Sequence, residues 1–309
     1  MDNLTNSIDQ VVEENTLPHE WSKEVLAELR NIEVKNKSRD DLRKIPFATI
    51  DGKDAKDFDD AVFCEFNKDG FNLQVAIADV AEIVKQDSLI DKEALLRGTS
   101  IYFPKRVIPM LPEEISNNLC SLIPNEDRNV LVCKINYSKE GEINSYEFSE
   151  AVIHSHKRFT YNDVEFIKQN KDINLSAEIL DSLDALAKLT KQLLYNRSKR
   201  YALEIESSEP TLSFGSDGNI SKILVPKRLF AHQMIEEAMI SANICAAKFI
   251  KKYFGFGVYR IHEEPECLKL ESLKKFFSLK GFSTNSHSSP LEMINSFIKH
   301  VNKDEKNKI

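Results

Sequence analysis

The chain has 309 residues, of which 41% are hydrophobic and 29% are charged, with 9 glycines and 10 prolines. These proportions exclude collagen-like, disordered and membrane-spanning classes for most of the chain, and they predict a soluble globular protein of one large or two small domains. Lys and Arg total 42 and Asp and Glu total 49, a net charge of −7, which excludes the broad basic surface of a protein that simply coats nucleic acid.

Residues 1–40 are polar and contain one amphipathic stretch, in which Trp21, Val25, Leu29 and Ile32 recur at helical spacing. This pattern predicts an N-terminal helical segment or linker whose apolar face must pack on something else. The N-terminus lacks the basic start and apolar core of a signal peptide, and no window approaches eighteen consecutive apolar residues.

From residue 41 onward the pattern is that of an α+β fold, with a mixed β-sheet core and flanking helices. An Asp-Gly pair separates the β-prone runs 61–66 and 71–80, which is typical of a hairpin, and the second run alternates like a half-buried strand. Further strands are predicted at 45–50, 107–110, 130–137 and 145–153, and helices at 176–195, 229–253 and 266–279. Residues 281–309 are predicted to form a loop and a charged tail.

The cysteines are widely spaced, without a C-x-x-C pair or the Cys and His spacing of a zinc site. This usage predicts a reducing, cytoplasmic location. His154 and His156 would share one face of a strand, and ordinary polar surface is favoured over zinc binding for that pair.

Five aspartates fall within ten residues, between two predicted strands: Asp51, Asp54, Asp57, Asp59 and Asp60. Carboxylates this close raise one another's pKa unless a cation neutralises them, and hard oxygen ligands suit Mg²⁺ or Mn²⁺. The pattern therefore indicates a divalent-metal site acting on a phosphate ester, with a solvated acidic turn as an equally weighted alternative. A calcium-binding EF-hand loop starting at Asp51 fails at four of its positions: Lys53, Ala55, Lys56 and Val62.

The acidic segment TIDGKDAKDFDDAV (49–62) closely resembles the signature of the RNB catalytic domain of the ribonuclease II and ribonuclease R exoribonucleases. The resemblance covers residues 41–280 and continues in order through VAIADV (75–80), RGTSIYFPKRVIPMLP (97–112), SNNLCSL (116–122), IEEAMISANICAA (235–247) and YRIHEEP (259–265). It implies hydrolysis of single-stranded RNA from its 3′ end to nucleoside 5′-monophosphates, with Mg²⁺ as the cofactor and Mn²⁺ as an alternative.

By the same resemblance Asp51, Asp57 and Asp60 are metal ligands and Asp59 is required for the chemistry, while Asp54 falls outside the matched set. For RNA binding the resemblance implies three residues: Tyr102, Ile205 and Glu236. Tyr102 matches a tyrosine that stacks on the 3′-terminal nucleotide, and Glu236 a glutamate that contacts it. The stacking partner in the family is a phenylalanine, so Ile205 at that position lacks a π-face.

Spacing alone leaves other readings of these residues open. Tyr102 could be a core tyrosine, and Glu236 could lie on a solvated helix face. Four basic pairs could neutralise RNA phosphates, although each is more typical of plain surface: Lys105-Arg106, Lys157-Arg158, Lys199-Arg200 and Lys227-Arg228.

Family members also carry OB folds of the cold-shock and S1 types. Neither the aromatic, Gly-rich and basic strand pattern of OB folds nor the family's later S-P-I-R-R-Y-P-D block occurs in this sequence. We therefore expect an RNB-type fragment, incomplete at its C-terminus and without a membrane partner. Two other functions stay open: an inactive or weak fragment that binds RNA and metal, and a small-substrate metal phosphohydrolase. The nucleotide clamp argues against the phosphohydrolase. A second polypeptide that completes the domain is a further alternative.

Overall fold

The computed structural model of the chain describes residues 3–34, 38–169, 175–203, 210–215, 219–261, 263–282 and 289–306. Within these ranges the backbone forms a seven-stranded sheet, two short hairpins and flanking helices. The predicted α+β class with a mixed sheet is therefore confirmed.

The strands in the described ranges are β1 Asp40–Asp41, β2 Ala48–Asp51, β3 Asp60–Asn67, β4 Gly70–Ala78, β5 Ile101–Phe103, β6 Arg106–Ile108, β7 Asp127–Tyr137, β8 Ile143–His154, β9 Lys157–Thr160, β10 Thr211–Phe214 and β11 Ile220–Leu224. The large sheet has the order β1-β8-β7-β4-β3-β2-β9. In it β1 pairs with β8 and β2 pairs with β9 in parallel, while the other pairs are antiparallel. The strands β5 and β6 form one separate hairpin, and β10 and β11 form the other.

The helices in the described ranges are α1 Asn3–Glu14, α2 Lys23–Arg30, α3 Val80–Ile83, α4 Leu89–Arg97, α5 Tyr161–Gln169, α6 Ala177–Lys199, α7 Phe230–Phe254, α8 Cys267–Leu279 and α9 Pro290–Lys306, with a π-helical turn at Ile115–Leu119. None of the helices described is both long and apolar enough to cross a membrane.

The hairpin of β3 and β4 forms where the Asp-Gly pair predicts it, with Asn67 opposite Gly70. Gly70 has a φ of 141°, and a Cβ at this position would collide with the carbonyl oxygen of Tyr137 on β7, so glycine is required there. The prediction that β4 is half-buried is wrong. Its polar residues Asn72 and Gln74 are buried too, because β4 lies near the middle of the sheet with both faces covered.

The chain divides into two compact units, Met1–Thr190 with Ser208–Cys245, and Lys191–Ser207 with Ala246–Ile309. In the first unit the amphipathic stretch predicted near the N-terminus packs on the main hydrophobic core. Val25 is buried in the main core, and Trp21, Leu29 and Ile32 pack against that core. The expected need of this helix for a packing surface is thereby confirmed.

The second unit contains an aromatic cluster formed by α8 and α9. Phe277 stacks on Phe297 with ring centroids 3.9 Å apart, and Phe282 meets both rings edge to face. The helix α9 occupies part of the range where a loop and charged tail are predicted. Its apolar residues include Met293, which is 4% exposed, and Phe297 of the aromatic cluster, and the charged residues around them obscure the helical pattern in the sequence.

His154 is the last residue of β8, whereas His156 lies in the connection to β9, so the two do not share a strand as predicted. His154 Nδ1 is 2.8 Å from an oxygen of Asp127, and His156 Nε2 is 3.0 Å from the carbonyl oxygen of Arg43. In the described ranges none of the five cysteines forms a disulfide; four of them are buried and Cys267 is exposed.

Candidate active site

The acidic segment forms the loop that joins β2 to β3. Asp51 is the last residue of β2 and Asp60 is the first residue of β3, and the two strands are antiparallel neighbours. Their carboxylates therefore start from the same end of the sheet. Thr49, Ile50 and Ala61 are almost fully buried, which fixes the two ends of the loop in the core.

The surroundings of Asp51 and Asp60 oppose ionisation. Burial, followed by the negative charges of Asp59 and Asp51, raises the pKa of Asp60 to about 7. Burial, followed by the charges of Asp59 and Asp57, raises the pKa of Asp51 to about 6, while Arg158 acts in the opposite direction. Burial and the charge of Asp57 also raise the pKa of Asp59. The loop thus gathers like charges that Arg158 offsets only in part.

Asp51 Oδ2 and Asp60 Oδ2 are buried and accept no hydrogen bond from the described part of the chain. A buried anionic oxygen with no partner is unfavourable, and a divalent cation with a preference for oxygen ligands would satisfy both. The predicted ligand Asp57 lies exposed on the loop between them. Nowhere in the described ranges are three His, Cys, Asp or Glu side chains arranged as a ready ion-binding group. The two buried carboxylates therefore fit part of a Mg²⁺ or Mn²⁺ ligand set.

Arg158 holds the first part of the acidic loop. It lies on β9 directly opposite Thr49 of β2, and its Nη2 donates to the carbonyl oxygens of Gly52 (2.9 Å) and Lys53 (2.8 Å). The guanidinium also lies over the ring of Phe58. Sequence reasoning treats Lys157-Arg158 as a basic pair that could reach RNA phosphates, whereas Arg158 is bound to the backbone of the loop.

Ser121 holds the second part of the loop. Its hydroxyl donates to the carbonyl oxygen of Lys56 (2.8 Å) and accepts from the backbone N–H of Phe58 (3.1 Å), and Leu122 N–H donates to the carbonyl oxygen of Phe58 (2.8 Å). Ser121 is 1% exposed. The residues on both sides of Asp57 are therefore tied to a distant segment. The SNNLCSL match points to this segment, but nothing in the spacing assigns it to the loop.

Tyr161 and His232 form a stacked pair beside the acids. Their ring centroids are 3.9 Å apart at an interplanar angle of 17°. Burial and the charges of Asp51, Asp60 and Asp59 raise the pKa of Tyr161 to about 12, so the phenol stays protonated next to the carboxylates. His232 Nδ1 accepts a hydrogen bond from Leu229 N–H, and burial lowers the pKa of this histidine. Sequence reasoning did not identify Tyr161.

Glu236 lies one turn after His232 on α7 and forms an ion pair with Arg228. Both side chains are 38% exposed, so the pair is accessible to a ligand at the surface. The basic pair Lys227-Arg228 was considered for phosphate binding, and the structure shows that Arg228 already meets this carboxylate.

Tyr102 projects from the β5–β6 hairpin and is 71% exposed. The alternative of a core tyrosine is therefore wrong, because the ring has no apolar surroundings to fill. Ile205, the predicted stacking partner, lies outside the described residues.

Comparison with known proteins shows similarity to one family. Residues 39–309 match the family profile described as the RNB domain. Ribonuclease R of Vibrio parahaemolyticus is 42% identical over 283 residues, which cover 89% of this chain and 34% of that protein. Ribonuclease R of Escherichia coli K12 is 39% identical over 292 residues, covering 92% of this chain and 36% of the relative. The chain thus spans about a third of the length of these curated relatives.

A solved structure shares the fold over nearly the whole chain. It is Mycoplasma genitalium RNase R in complex with ribose methylated single-stranded RNA, with a TM-score of 0.90 and 30% sequence identity. The match covers 98% of this chain and 48% of that one.

Proposed function

The chain belongs to the RNB domain family, and from this membership we propose that it hydrolyses single-stranded RNA from the 3′ end, releasing nucleoside 5′-monophosphates with the help of Mg²⁺. Its ribonuclease R relatives and the RNA bound in the Mycoplasma genitalium structure support RNA as the substrate. In this reaction water attacks the last phosphodiester, the P–O3′ bond breaks, and the phosphate leaves on the released nucleotide.

Each residue of the site has a proposed role. Asp51, Asp57 and Asp60 would hold Mg²⁺, which when bound polarises the phosphate and makes a coordinated water more acidic. Asp59 acts on the reacting atoms by orienting the attacking water through its carboxylate. Tyr102 stacks on the terminal base, which contributes about 1–3 kcal/mol without reading the sequence. Glu236 contacts the terminal nucleotide, and Ile205 packs on it without a π-face.

The observation that carries this proposal is the pair of buried, donor-free oxygens of Asp51 and Asp60. A structural acidic turn would expose its carboxylates to water or pair them with lysine and arginine. Buried carboxylates that keep an oxygen without a donor are expected where a cation completes the site.

The test is incubation of the protein with 5′-labelled single-stranded RNA in Mg²⁺, in parallel with Asp59→Asn and Asp54→Asn. Asp54 is exposed in the same loop and outside the matched set, so its variant changes the local charge equally. We expect stepwise shortening and mononucleotide release by the parent and Asp54→Asn, and none by Asp59→Asn or with EDTA. Equal loss in both variants would contradict the assignment of Asp59.

A second candidate is an RNA-binding and metal-binding domain with little turnover. It is favoured by the exposure of Asp57, because only two of the three predicted ligands, Asp51 and Asp60, place an oxygen in the buried part of the loop. The same assay separates the two functions, because the second predicts RNA binding in Mg²⁺ with no mononucleotide release by any variant.

A further inference from the structure

The hairpin of β5 and β6 that carries Tyr102 is too small to be rigid alone. Each strand has three residues, and an isolated hairpin of this size is at best marginally stable in water. Tyr102 lies opposite Val107, and both side chains are exposed. Because strand residues alternate between faces, the neighbouring Ile101, Phe103 and Ile108 point to the other side.

That other side is covered by α1. Ile8 and Val12 of the helix form a buried cluster with Ile108, with 7%, 2% and 3% exposure. Ile101 and Phe103 of β5 pack against the same cluster, and so do Leu4 and Leu17 around the helix. The apolar face of the hairpin is thus completed by residues that precede the family match at residue 39.

A charged contact fixes the position of the helix along the hairpin. Arg106 Nη1 donates to Asp9 Oδ1 at 2.6 Å, and both side chains are partly exposed. Asp9 lies on α1 next to Ile8, while Arg106 pairs with Phe103 across the hairpin. An apolar contact alone allows a helix to slide, whereas a hydrogen-bonded ion pair at one end selects one position.

We propose that α1 is a positioning element for RNA binding: through Ile8, Val12 and the Asp9–Arg106 pair it holds the β5–β6 hairpin so that Tyr102 is presented to the terminal base in advance. This role rests on the proposed function of Tyr102. If the hairpin were mobile, RNA would have to order it on binding, and part of the stacking energy would be lost to that ordering.

The physical contact is tested first, without RNA, by amide hydrogen exchange in Val12→Ala and Val11→Ala. These variants remove the same atoms from adjacent residues of one helix, but Val12 is 2% exposed and Val11 is 41% exposed. We expect faster exchange of the amides of residues 101–108 in Val12→Ala and no change in Val11→Ala. A milder variant, Asp9→Asn, is expected to act in the same direction. Unchanged exchange in Val12→Ala and Asp9→Asn would overturn the proposal.

The consequence for RNA is tested by a double-mutant cycle between Val12→Ala and Tyr102→Ala, measured as the Kd for a fluorescein-labelled oligoadenylate in an Asp59→Asn background. We expect Tyr102→Ala to weaken binding about 5- to 100-fold and Val12→Ala to weaken it by a smaller factor. In the Tyr102→Ala background Val12→Ala should change the Kd by less than about twofold, because the helix acts through the ring.

Each outcome has a separate meaning. Equal effects of Val12→Ala with and without the Tyr102 ring would overturn the positioning role while leaving the RNA-binding function intact. If Tyr102→Ala leaves the Kd unchanged or the parent binds no RNA, the proposed function of Tyr102 fails and the role of α1 in RNA binding falls with it. The exchange data would then still report the contact itself.

Discussion

Asp60 is expected to destabilise the metal-free fold that holds it. Its side chain is 7% exposed, its Oδ2 has no donor, and its pKa is raised to about 7 by burial and by Asp59 and Asp51. Because the folded-state pKa lies above the ordinary value of 3.8, the unfolded chain loses its proton first as the pH rises. The free energy of unfolding of the metal-free protein should therefore fall between about pH 4 and pH 7.

We expect Asp60→Asn to raise the free energy of unfolding in EDTA by about 1–3 kcal/mol at pH 8, because it removes an uncompensated buried charge. At pH 5, where Asp60 is largely protonated, the difference should nearly vanish. Urea unfolding at the two pH values measures it. Adding Mg²⁺ at pH 8 should stabilise the parent and not the variant. A variant less stable than the parent at pH 8 would contradict the inferred repulsion.

Ser121 acts at a distance from the carboxylates it positions. One hydroxyl bonds to both neighbours of Asp57, accepting from Phe58 N–H and donating to the carbonyl oxygen of Lys56. Replacing it would remove the partner of the buried Phe58 N–H and of the partly buried carbonyl oxygen of Lys56.

Ser121→Ala is expected to weaken Mg²⁺ binding about tenfold or more while leaving the rate at saturating Mg²⁺ much less affected, since the carboxylates remain but lose their fixed spacing. The rate of RNA shortening as a function of Mg²⁺ concentration measures both effects. Ser116→Ala is the matched control, because Ser116 lies in the same segment and its hydroxyl donates to the side chain of its neighbour Asn117. Identical Mg²⁺ curves for Ser121→Ala and the parent would rule out this positioning role.

At the scale of elements, Arg39 lies directly before β1 and forms ion pairs with residues of the turn that follows β4. It donates to Asp79 at 2.6 Å and Glu82 at 3.4 Å, and its side chain is 2% exposed. Asp79 is also the N-cap of α3. Buried charges of this kind are costly to separate, because removing one partner leaves the others unpaired.

We expect Arg39→Ala to lower the free energy of unfolding by about 3–5 kcal/mol, as for other broken buried ion pairs. Arg43→Ala is the control: Arg43 also bonds to two aspartates, Asp41 and Asp127, but its side chain is 49% exposed. Its loss should leave the urea midpoint almost unchanged because water replaces the contacts. Equal midpoints for the two variants would refute the difference attributed to burial.

For the whole molecule, the proposed function brings an acidic chain together with RNA, which is a polyanion. The net charge is −7, and Arg158 and Arg228 already bond to protein groups. Affinity for RNA should then come mainly from stacking and from the metal at the acidic loop, rather than from the release of many counterions.

We expect the Kd of Asp59→Asn for oligoadenylate in Mg²⁺ to depend weakly on salt. If one or two phosphates are neutralised, the slope of log Kd against log salt between about 50 and 200 mM KCl should be below about 1.5, at about 0.7 for each phosphate on a single strand. Fluorescence anisotropy gives the slope. A value of about 4 or more would mean that binding neutralises several phosphates, and it would contradict this expectation.

Local patterns in the sequence determined a large part of this protein. The β3–β4 hairpin follows from its Asp-Gly pair, α6 and α7 follow from their apolar spacing, and the acidic loop follows from five aspartates between two strands. Each of these patterns lies within a short segment, because turn geometry and side-chain periodicity depend on short stretches of backbone. The resemblance to the RNB family rested on the same local strings and is confirmed.

The tertiary structure alone decided which distant residues support those local features. The parallel pairing of β2 with β9 brings Arg158 to the loop, and Ser121 reaches Phe58 across 63 positions of the chain. The burial of both faces of β4 and the packing of α1 on the β5–β6 hairpin also depend on residues that are distant in the sequence. Such contacts form because the whole chain buries its apolar surface and pairs its polar groups together, and no short segment carries that information.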